Sequence, residues 1–152
     1  MRGYAVGCLA LGLLVYGGAA HAADKLCKLE ISGNDLLQYD KAELKVAADC
    51  TKVELTLKHT GQLPAQTMGH TWVLTKTADV QGVLDAGAAA GIAHSYEPPG
   101  DKRMIAATKL VGGGQVTSVT FSTVGLQKGG DYTYFCTFPG HAALMRGKFI
   151  FG

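Results

Sequence analysis

The chain has 152 residues, with 14 lysines and arginines against 12 acidic residues, a net charge of +2 and a hydrophobic fraction of 47%. This length suits one domain with its own core. The apolar content and small net charge exclude an intrinsically disordered chain, and the lack of a Lys/Arg run argues against nucleic-acid binding. The 21 glycines are typical of short strands joined by tight turns rather than of a helical bundle.

The first 22 residues have the features of a cleaved secretory signal peptide. Met1-Arg2 is a short positive start, residues 5–16 are apolar and uncharged, and Ala20-His21-Ala22 matches an A-x-A cleavage signal. The apolar run is shorter than the about 20 residues of a transmembrane helix, so an uncleaved anchor is the less favoured alternative. Cys8 lacks a preceding apolar segment, which argues against a lipoprotein.

We therefore expect export to the periplasm, with no membrane anchor after cleavage and one domain at residues 23–152. In an oxidising compartment, the odd set of Cys27, Cys50 and Cys136 predicts one disulfide and one separate thiol. Pairing Cys27 with Cys50 would close a loop of about 24 residues and contribute roughly 3 kcal/mol. The residues alone leave the pairing open.

Alternation of apolar and polar residues predicts eight strands. They lie at residues 26–32, 43–48, 53–59, 70–74, 104–110, 116–123, 132–137 and 148–151. In the second segment, Leu44, Val46 and Ala48 are expected to face the core. Glycine-rich turns such as residues 129–131 separate the strands.

One segment, residues 77–91, instead has apolar residues at helical spacing. Thr77 is the expected N-cap and Gly91 the expected end of this helix. Eight strands and one connecting helix predict an all-β fold, a Greek-key β-sandwich with a short helix near residues 77–91.

The most informative segment spans residues 136–145 and has the pattern C-x4-H-x3-M. The turn at Pro139-Gly140 allows Cys136, His141 and Met145 to point at one place. Each residue alone has an ordinary structural explanation, but the three together favour a metal site. Thiolate, imidazole and thioether suit copper better than magnesium or calcium. A second imidazole from His70 would complete a trigonal site, with Met145 as the weak axial ligand.

Five motifs carry a resemblance to a known family: Gly33-Asn34-Asp35, Met68-Gly69-His70, Trp72-Val73-Leu74, Thr108-Lys109-Leu110 and residues 136–145. On these motifs the chain resembles the azurins, the bacterial blue-copper proteins of the cupredoxin family, from about Leu26 to the last residue.

The resemblance implies one copper ion bound by His70, Cys136 and His141. The carbonyl oxygen of Gly69 and the sulfur of Met145 would be distant axial donors. It also implies a Cys27–Cys50 disulfide at the far end of the sandwich.

Four further residues need an interpretation. Azurins usually carry Asn where this chain has Thr71, and the shorter side chain is expected to weaken the bracing of the two ligand segments. His59 is interpreted as a buried, hydrogen-bonded histidine rather than a fifth ligand. Trp72 is interpreted as a core aromatic rather than an electron relay, and His94 as a solvated side chain.

The resemblance also places an apolar patch around His141, through which electrons would leave. Its residues are Leu37, Leu63, Met68, Phe138, Gly140, Ala143 and Leu144. For Phe138, packing between the loops is an equal alternative to exposure in the patch.

These features together predict a soluble, monomeric periplasmic carrier that moves single electrons through a type 1 copper site, Cu(II)/Cu(I), and is not an enzyme. The implied partners are c-type cytochromes and periplasmic reductases. A copper enzyme would need a second copper site and more than the four histidines that follow the signal peptide. A copper chaperone, the main alternative, would be expected to carry Met-rich or C-x-x-C tracts. A metal-free interaction domain is disfavoured by the ligand cluster.

Overall fold

A computed structural model describes residue 3 and residues 24–152 of the chain. Apart from residue 3, the predicted signal peptide lies outside the described residues. The strands are β1 Leu26–Gly33, β2 Glu43–Val46, β3 Lys52–His59, β4 Val73–Lys76, β5 Ala106–Ala107, β6 Val116–Ser122, β7 Tyr132–Phe135 and β8 Arg146–Phe151. The helices are α1 Ala65–Met68 and α2 Val80–Ala90, and single 3-10 turns lie at Thr77–Asp79, Ile92–His94 and His141–Ala143.

The strands form two sheets, in the orders β1-β3-β6 and β2-β8-β7-β4-β5. β1 pairs with β3 and β2 with β8 in parallel, whereas the other pairs are antiparallel. Side chains from both sheets fill the space between them. Trp72 is fully buried there, with its ring centroid 6.0 Å from those of Tyr134 and Phe121. The structure confirms the predicted all-β sandwich of eight strands with a connecting helix near residues 77–91, and it adds the single-turn helix α1, which was not predicted.

Strand β3 shows why the alternation of apolar and polar residues predicts strands in this chain. Val53, Leu55, Leu57 and His59 are buried, and the residues between them face outward to different degrees. The predicted inward position of Ala48 is wrong. Strand β2 ends at Val46, and the chain then turns, so that Ala48 is exposed.

The helix begins differently from the prediction. The Thr77 hydroxyl bonds to the side chains of Asp131 and Thr133, at 2.8 Å each, and does not cap α2. Asp79 occupies the N-cap position without a side-chain capping bond. Gly91, with a φ of 70°, ends the helix as predicted, because this backbone conformation favours glycine.

The strands predicted at residues 70–74 and 104–110 have different bounds in the structure. His70 forms only an isolated bridge with Val111, and β4 begins at Val73. The segment predicted at 104–110 is regular only at Ala106–Ala107. There the Thr108 hydroxyl accepts the Trp72 N–H at 2.9 Å, in place of a regular ladder bond between backbones.

Cys27 and Cys50 form the disulfide that the resemblance implies. The β1–β3 register sets Cys27 opposite Val53, at one end of the sheet, and Gly33 opposite His59 at the other. The disulfide therefore lies at the end of the sandwich away from His70. Among the described residues, no helix is long and apolar enough to cross a membrane.

Candidate metal centre

Three of the predicted ligands meet inside the protein. The donor atoms of His70, Cys136 and His141 all lie within 4.8 Å of one another, and all three residues are buried. Nitrogen and sulfur ligands about 2.0–2.3 Å from one ion in a trigonal plane would be about 3.5–4 Å apart. The Cys136 Sγ and His141 Nδ1 atoms are 3.7 Å apart, which fits this spacing. The two-imidazole, one-thiolate set is also the chemistry that copper prefers.

The orientation of the His70 ring is set by a hydrogen bond to a residue 36 positions away in the chain. His70 Nε2 lies 2.9 Å from the carbonyl oxygen of Asn34, so it carries the proton and donates this bond. Nδ1 is then the atom with a free lone pair, and it lies beside the Gly69 carbonyl oxygen, 3.1 Å away. The tautomer leaves the correct nitrogen free to bind a metal.

The loop that carries the other ligands is closed by its own backbone. The Met145 N–H donates to the His141 carbonyl at 2.8 Å, and the Cys136 N–H donates to the Met145 carbonyl at 3.0 Å. Gly140, with a φ of 80°, makes the turn just before His141. These bonds bring together the ends of a segment that begins after β7 and ends before β8.

The two predicted axial groups both lie close to the Cys136 ligand. The Gly69 carbonyl oxygen is 3.9 Å from the Cys136 sulfur. Met145 is fully buried and packs in one apolar cluster with Cys136 and Phe138. Both groups are thus within the neighbourhood of the three donors.

His59 lies next to the site, with its ring stacked on His70 at 4.1 Å between centroids. Its Nε2 donates to the Met68 carbonyl at 2.8 Å, and its Nδ1 accepts the Gly61 N–H at 3.0 Å. Both ring nitrogens are therefore occupied, which is consistent with the interpretation of His59 as a non-ligand. His94, in contrast, is exposed.

Burial controls the protonation of the donors before a metal binds. It lowers the pKa of His141 to about 4, with smaller contributions from His70 and His59, and it also lowers the pKa of His70. Burial raises the pKa of the Cys136 thiol, against the effect of N–H groups of Thr71 and Phe138 that donate to the sulfur. Near pH 7 both imidazoles are neutral, so their lone pairs are available, and metal binding must displace the thiol proton.

Sequence reasoning did not assign a role to three residues that shape the site. A Cβ atom on Gly33 would come within 2.7 Å of His70 Cδ2 and 2.9 Å of Met145 Cε. Asn34 orients His70, as described above, and the Tyr39 hydroxyl donates to the Thr71 carbonyl oxygen. The motif that contains Gly33 and Asn34 was the available signal, but spacing along the chain does not connect it to the ligands.

The shorter side chain at position 71 still links the two ligand segments. The Thr137 N–H donates to Thr71 Oγ1 at 2.9 Å, and the hydroxyls of these two threonines lie 2.8 Å apart. All of these atoms are on buried residues. Thr71 therefore braces the two segments through Thr137.

The predicted patch residues differ in exposure. Leu63 and Leu144 are 40% and 65% exposed, and Gly140 and Ala143 are also exposed. Leu37 and Met68 are partly buried. Leu36, which the prediction omitted, is 72% exposed and adjoins the patch in sequence.

Phe138 is buried and therefore is not part of the exposed patch. Its ring packs 5.1 Å from Tyr96 and 4.5 Å from His141, measured between centroids. The alternative role, packing between the loops, is the one that the structure supports.

Comparisons with known proteins agree with this fold and with the binding of copper. Residues 25–152 match the family described as copper binding proteins, plastocyanin/azurin family. The azurin of Bordetella pertussis is 51% identical over 121 residues, 80% of this chain and 81% of the relative. The azurin of Pseudomonas aeruginosa is 46% identical, over 80% of this chain and 82% of the relative.

A solved structure gives the same result. An azurin from the obligate methylotroph Methylomonas sp. strain J superposes with a TM-score of 0.80 and 41% identity, and the match covers 83% of this chain and 98% of that one. The chain therefore belongs to the plastocyanin/azurin family of copper-binding proteins.

Proposed function

We propose that the protein is a soluble periplasmic carrier of single electrons, with copper bound by His70, Cys136 and His141. Met145 and the Gly69 carbonyl oxygen would be the weak axial donors. Proteins of this family are blue-copper electron-transfer proteins and not enzymes. The observation that carries the ligand assignment is the buried set of two imidazoles and one thiol within 4.8 Å.

The bound copper would supply one-electron chemistry by alternating between Cu(II) and Cu(I). The chain's part is to hold the ligands in one geometry that both states accept. The hydrogen bond from His70 to Asn34 and the closed 136–145 loop fix the donors before the metal arrives. Burial excludes water from the site. Few groups need to move when an electron arrives, which favours fast transfer.

The electron would leave through His141 and the patch formed by Leu36, Leu37, Leu63, Met68, Gly140, Ala143 and Leu144, which we call the leucine patch. His141 is 4% exposed and begins the turn that contains Ala143, whereas His70 is fully buried. An exposed apolar surface of this kind is typical of an interaction site. Weak redox complexes bury less than about 1,200 Å², which a small patch can provide.

The proposed partners are c-type cytochromes and periplasmic reductases. A copper chaperone is the alternative function. The burial of Cys136 and His70 disfavours it, because direct transfer of copper to another protein needs ligands that a partner can reach.

The visible spectrum of the copper-loaded protein tests the site. We expect an intense blue band that disappears on reduction and returns on oxidation. Cys136→Ser should abolish the band, because a hydroxyl is a harder and less oxidisable donor than a thiolate. His141→Gly should lose the native spectrum and recover it with added imidazole.

His94→Gly is the matched control, because it removes an exposed histidine outside the site. It should leave the spectrum unchanged. A full blue band in Cys136→Ser would show that the ligand assignment is wrong. A colourless wild type that passes copper to acceptor proteins would instead support the chaperone.

Fractionation of the cells that produce the full chain tests its location. We expect the protein in the periplasmic fraction, with a mass that corresponds to a chain beginning at Ala23. Retention of residues 1–22 in the membrane fraction would contradict the proposed cleavage.

A further inference from the structure

The hydroxyl of Thr71 lies within hydrogen-bonding distance of two acceptors for its proton. Its oxygen already accepts the Thr137 N–H. Its single proton can go to the Thr137 hydroxyl, 2.8 Å away, or to the Cys136 sulfur, 3.8 Å away. The Thr137 hydroxyl also lies 3.4 Å from the carbonyl oxygen of Ser95. The two threonine hydroxyls therefore form a short hydrogen-bonded chain, with the Cys136 sulfur as the acceptor at one end and the Ser95 carbonyl at the other.

This chain has two consistent arrangements of its protons. In the first, Thr71 donates to Thr137, and Thr137 donates to the Ser95 carbonyl. In the second, Thr137 donates to Thr71, and Thr71 donates to the Cys136 sulfur. Both keep the 2.8 Å bond between the hydroxyls, so they differ only in the terminal acceptor.

The charge on the sulfur decides between the arrangements. A neutral thiol is a weak acceptor, so the Ser95 carbonyl is preferred in the metal-free protein. A metal-bound thiolate is negative, and hydrogen bonds to ionised acceptors are roughly twice as strong as neutral ones. Thr71 and Cys136 are both fully buried, so water does not compete.

We propose that the Thr71 hydroxyl donates a hydrogen bond to the Cys136 thiolate in the copper-loaded protein, in addition to the backbone N–H of Thr71. The backbone donor lies 3.5 Å from the same sulfur. Thr71 is thus a positioning residue with two functions: it braces the ligand segments and it stabilises the thiolate. The proposal rests on the proposed function, since it takes Cys136 as the copper ligand.

The added donor should favour the reduced site, because the sulfur carries more negative charge after reduction. Thr71→Val removes the hydroxyl and keeps the shape. We expect its ratio of Cu(I) to Cu(II) affinity to fall about tenfold, which corresponds to a potential lowered by about 59 mV. The blue band should move to longer wavelength, because the sulfur electrons are then less stabilised.

Two variants separate donation to the sulfur from bracing. Thr71→Ser retains the hydroxyl and should restore the wild-type potential and band. Thr137→Val removes the competing hydroxyl but leaves Thr71 free to donate to the sulfur, so its band should stay close to that of the wild type. Denaturant unfolding of the copper-free proteins checks that each variant folds, and both valine variants should be less stable than the wild type.

A direct test uses the protein loaded with an NMR-active cadmium isotope, which is redox-inert. We expect a scalar coupling between the Thr71 hydroxyl proton and the metal nucleus, transmitted through the Cys136 sulfur, in the wild type, Thr71→Ser and Thr137→Val. No coupling in the wild type, or an unchanged potential in Thr71→Val, would overturn the proposal. A wild type without a blue band would overturn the proposed function instead, and the cadmium measurement would still decide the hydrogen bond.

Discussion

Glu97 carries a carboxyl group in an environment that disfavours its ionised form. One of its carboxylate oxygens, Oε1, is buried and has no hydrogen-bond partner among residues 24–152. Burial raises the pKa of this carboxyl to about 7 from its ordinary value of 4.5. In the described part of the chain, no attraction from a charged side chain offsets the burial, so the folded protein holds the ionised form at a cost.

Replacing Glu97 should therefore stabilise the protein in a pH-dependent way. Folding raises the pKa of Glu97. Its contribution to the free energy of unfolding is therefore fully present below about pH 4.5 and is lost as the pH rises through about 7. We expect Glu97→Gln to increase the free energy of unfolding by about 1–2 kcal/mol at pH 8, after a discount for partial solvent screening, and to have little effect near pH 4.

Denaturant unfolding of the copper-free wild type and variant across this pH range provides the measurement. The effects of the buried histidines are common to both proteins and cancel in the difference. Glu43→Gln is the control, because Glu43 is half exposed and pairs with Lys45 in solvent. A constant difference between wild type and Glu97→Gln at all pH values would rule out this account.

Gly33 allows β1 to approach the metal centre closely. The Cβ of an alanine there would lie 2.7 Å from the His70 ring, which is buried and cannot move away freely. We expect Gly33→Ala to destabilise the protein by about 1–3 kcal/mol, to weaken copper binding and to shift the blue band. Gly114→Ala is a useful comparison for the clash, since no atom lies within 4 Å of its added Cβ, although its positive φ adds local backbone strain. A Gly33→Ala protein with an unchanged spectrum would refute the close approach.

At the scale of the elements, the loop between β7 and β8 could be predicted from the sequence because its ligands lie within ten residues. Cys136, His141 and Met145 follow a strand pattern and surround a Pro-Gly turn, so their convergence is a local property. In the structure β7 ends at Phe135, two residues before the end of the strand predicted at 132–137. This end could not be predicted in the same way. The bond from the Cys136 N–H to the Met145 carbonyl continues the β7–β8 register across residues nine positions apart, so the point where the pairing stops is set by how the loop folds and not by the alternation of residues.

The contributions of Gly33 and Asn34 depend on long-range pairing, which spacing along the chain does not reveal. The parallel register of β1 with β3 sets Gly33 beside His59, and this places Asn34 against His70. The brace between Thr71 and Thr137 joins residues that are 66 positions apart. The ligand types and the fold class were therefore predictable, but the groups that orient the ligands were not.

The disulfide is an element whose effect should be limited to stability. It joins β1 to the segment before β3 at the end of the sandwich away from the metal centre. We expect the Cys27→Ala, Cys50→Ala double variant to lose roughly 3 kcal/mol of unfolding free energy, because its unfolded chain is less constrained. The blue band and the potential should stay close to those of the wild type. Thermal unfolding and visible spectra measure the two effects, and a changed spectrum would show coupling between the ends of the sandwich.

At the scale of the whole molecule, the disulfide and the metal centre lie at opposite ends of the sandwich. The disulfide and Val124 lie at one end, since β6 pairs Ser122 with Lys52. The donors and the leucine patch lie at the other end. Two exposed positions, Leu144 and Val124, therefore allow the same charge to be introduced near the metal centre or far from it.

This arrangement predicts where electrons enter and leave. A lysine in place of Leu144, which is 65% exposed beside the His141 turn, should leave the spectrum nearly intact because the ammonium stays in solvent. In the proposed exit route, electron self-exchange brings two leucine patches together, so like-charge repulsion and desolvation of the ammonium should slow it by at least tenfold, equivalent to about 1.4 kcal/mol in the barrier. Val124→Lys adds the same charge at a position that is 89% exposed at the far end, and its self-exchange rate should match the wild type.

NMR line broadening in mixtures of the oxidised and reduced proteins measures these rates at low ionic strength. Equal slowing in both variants would mean that net charge controls the encounter, and an unchanged rate in Leu144→Lys would mean that electrons leave by another face.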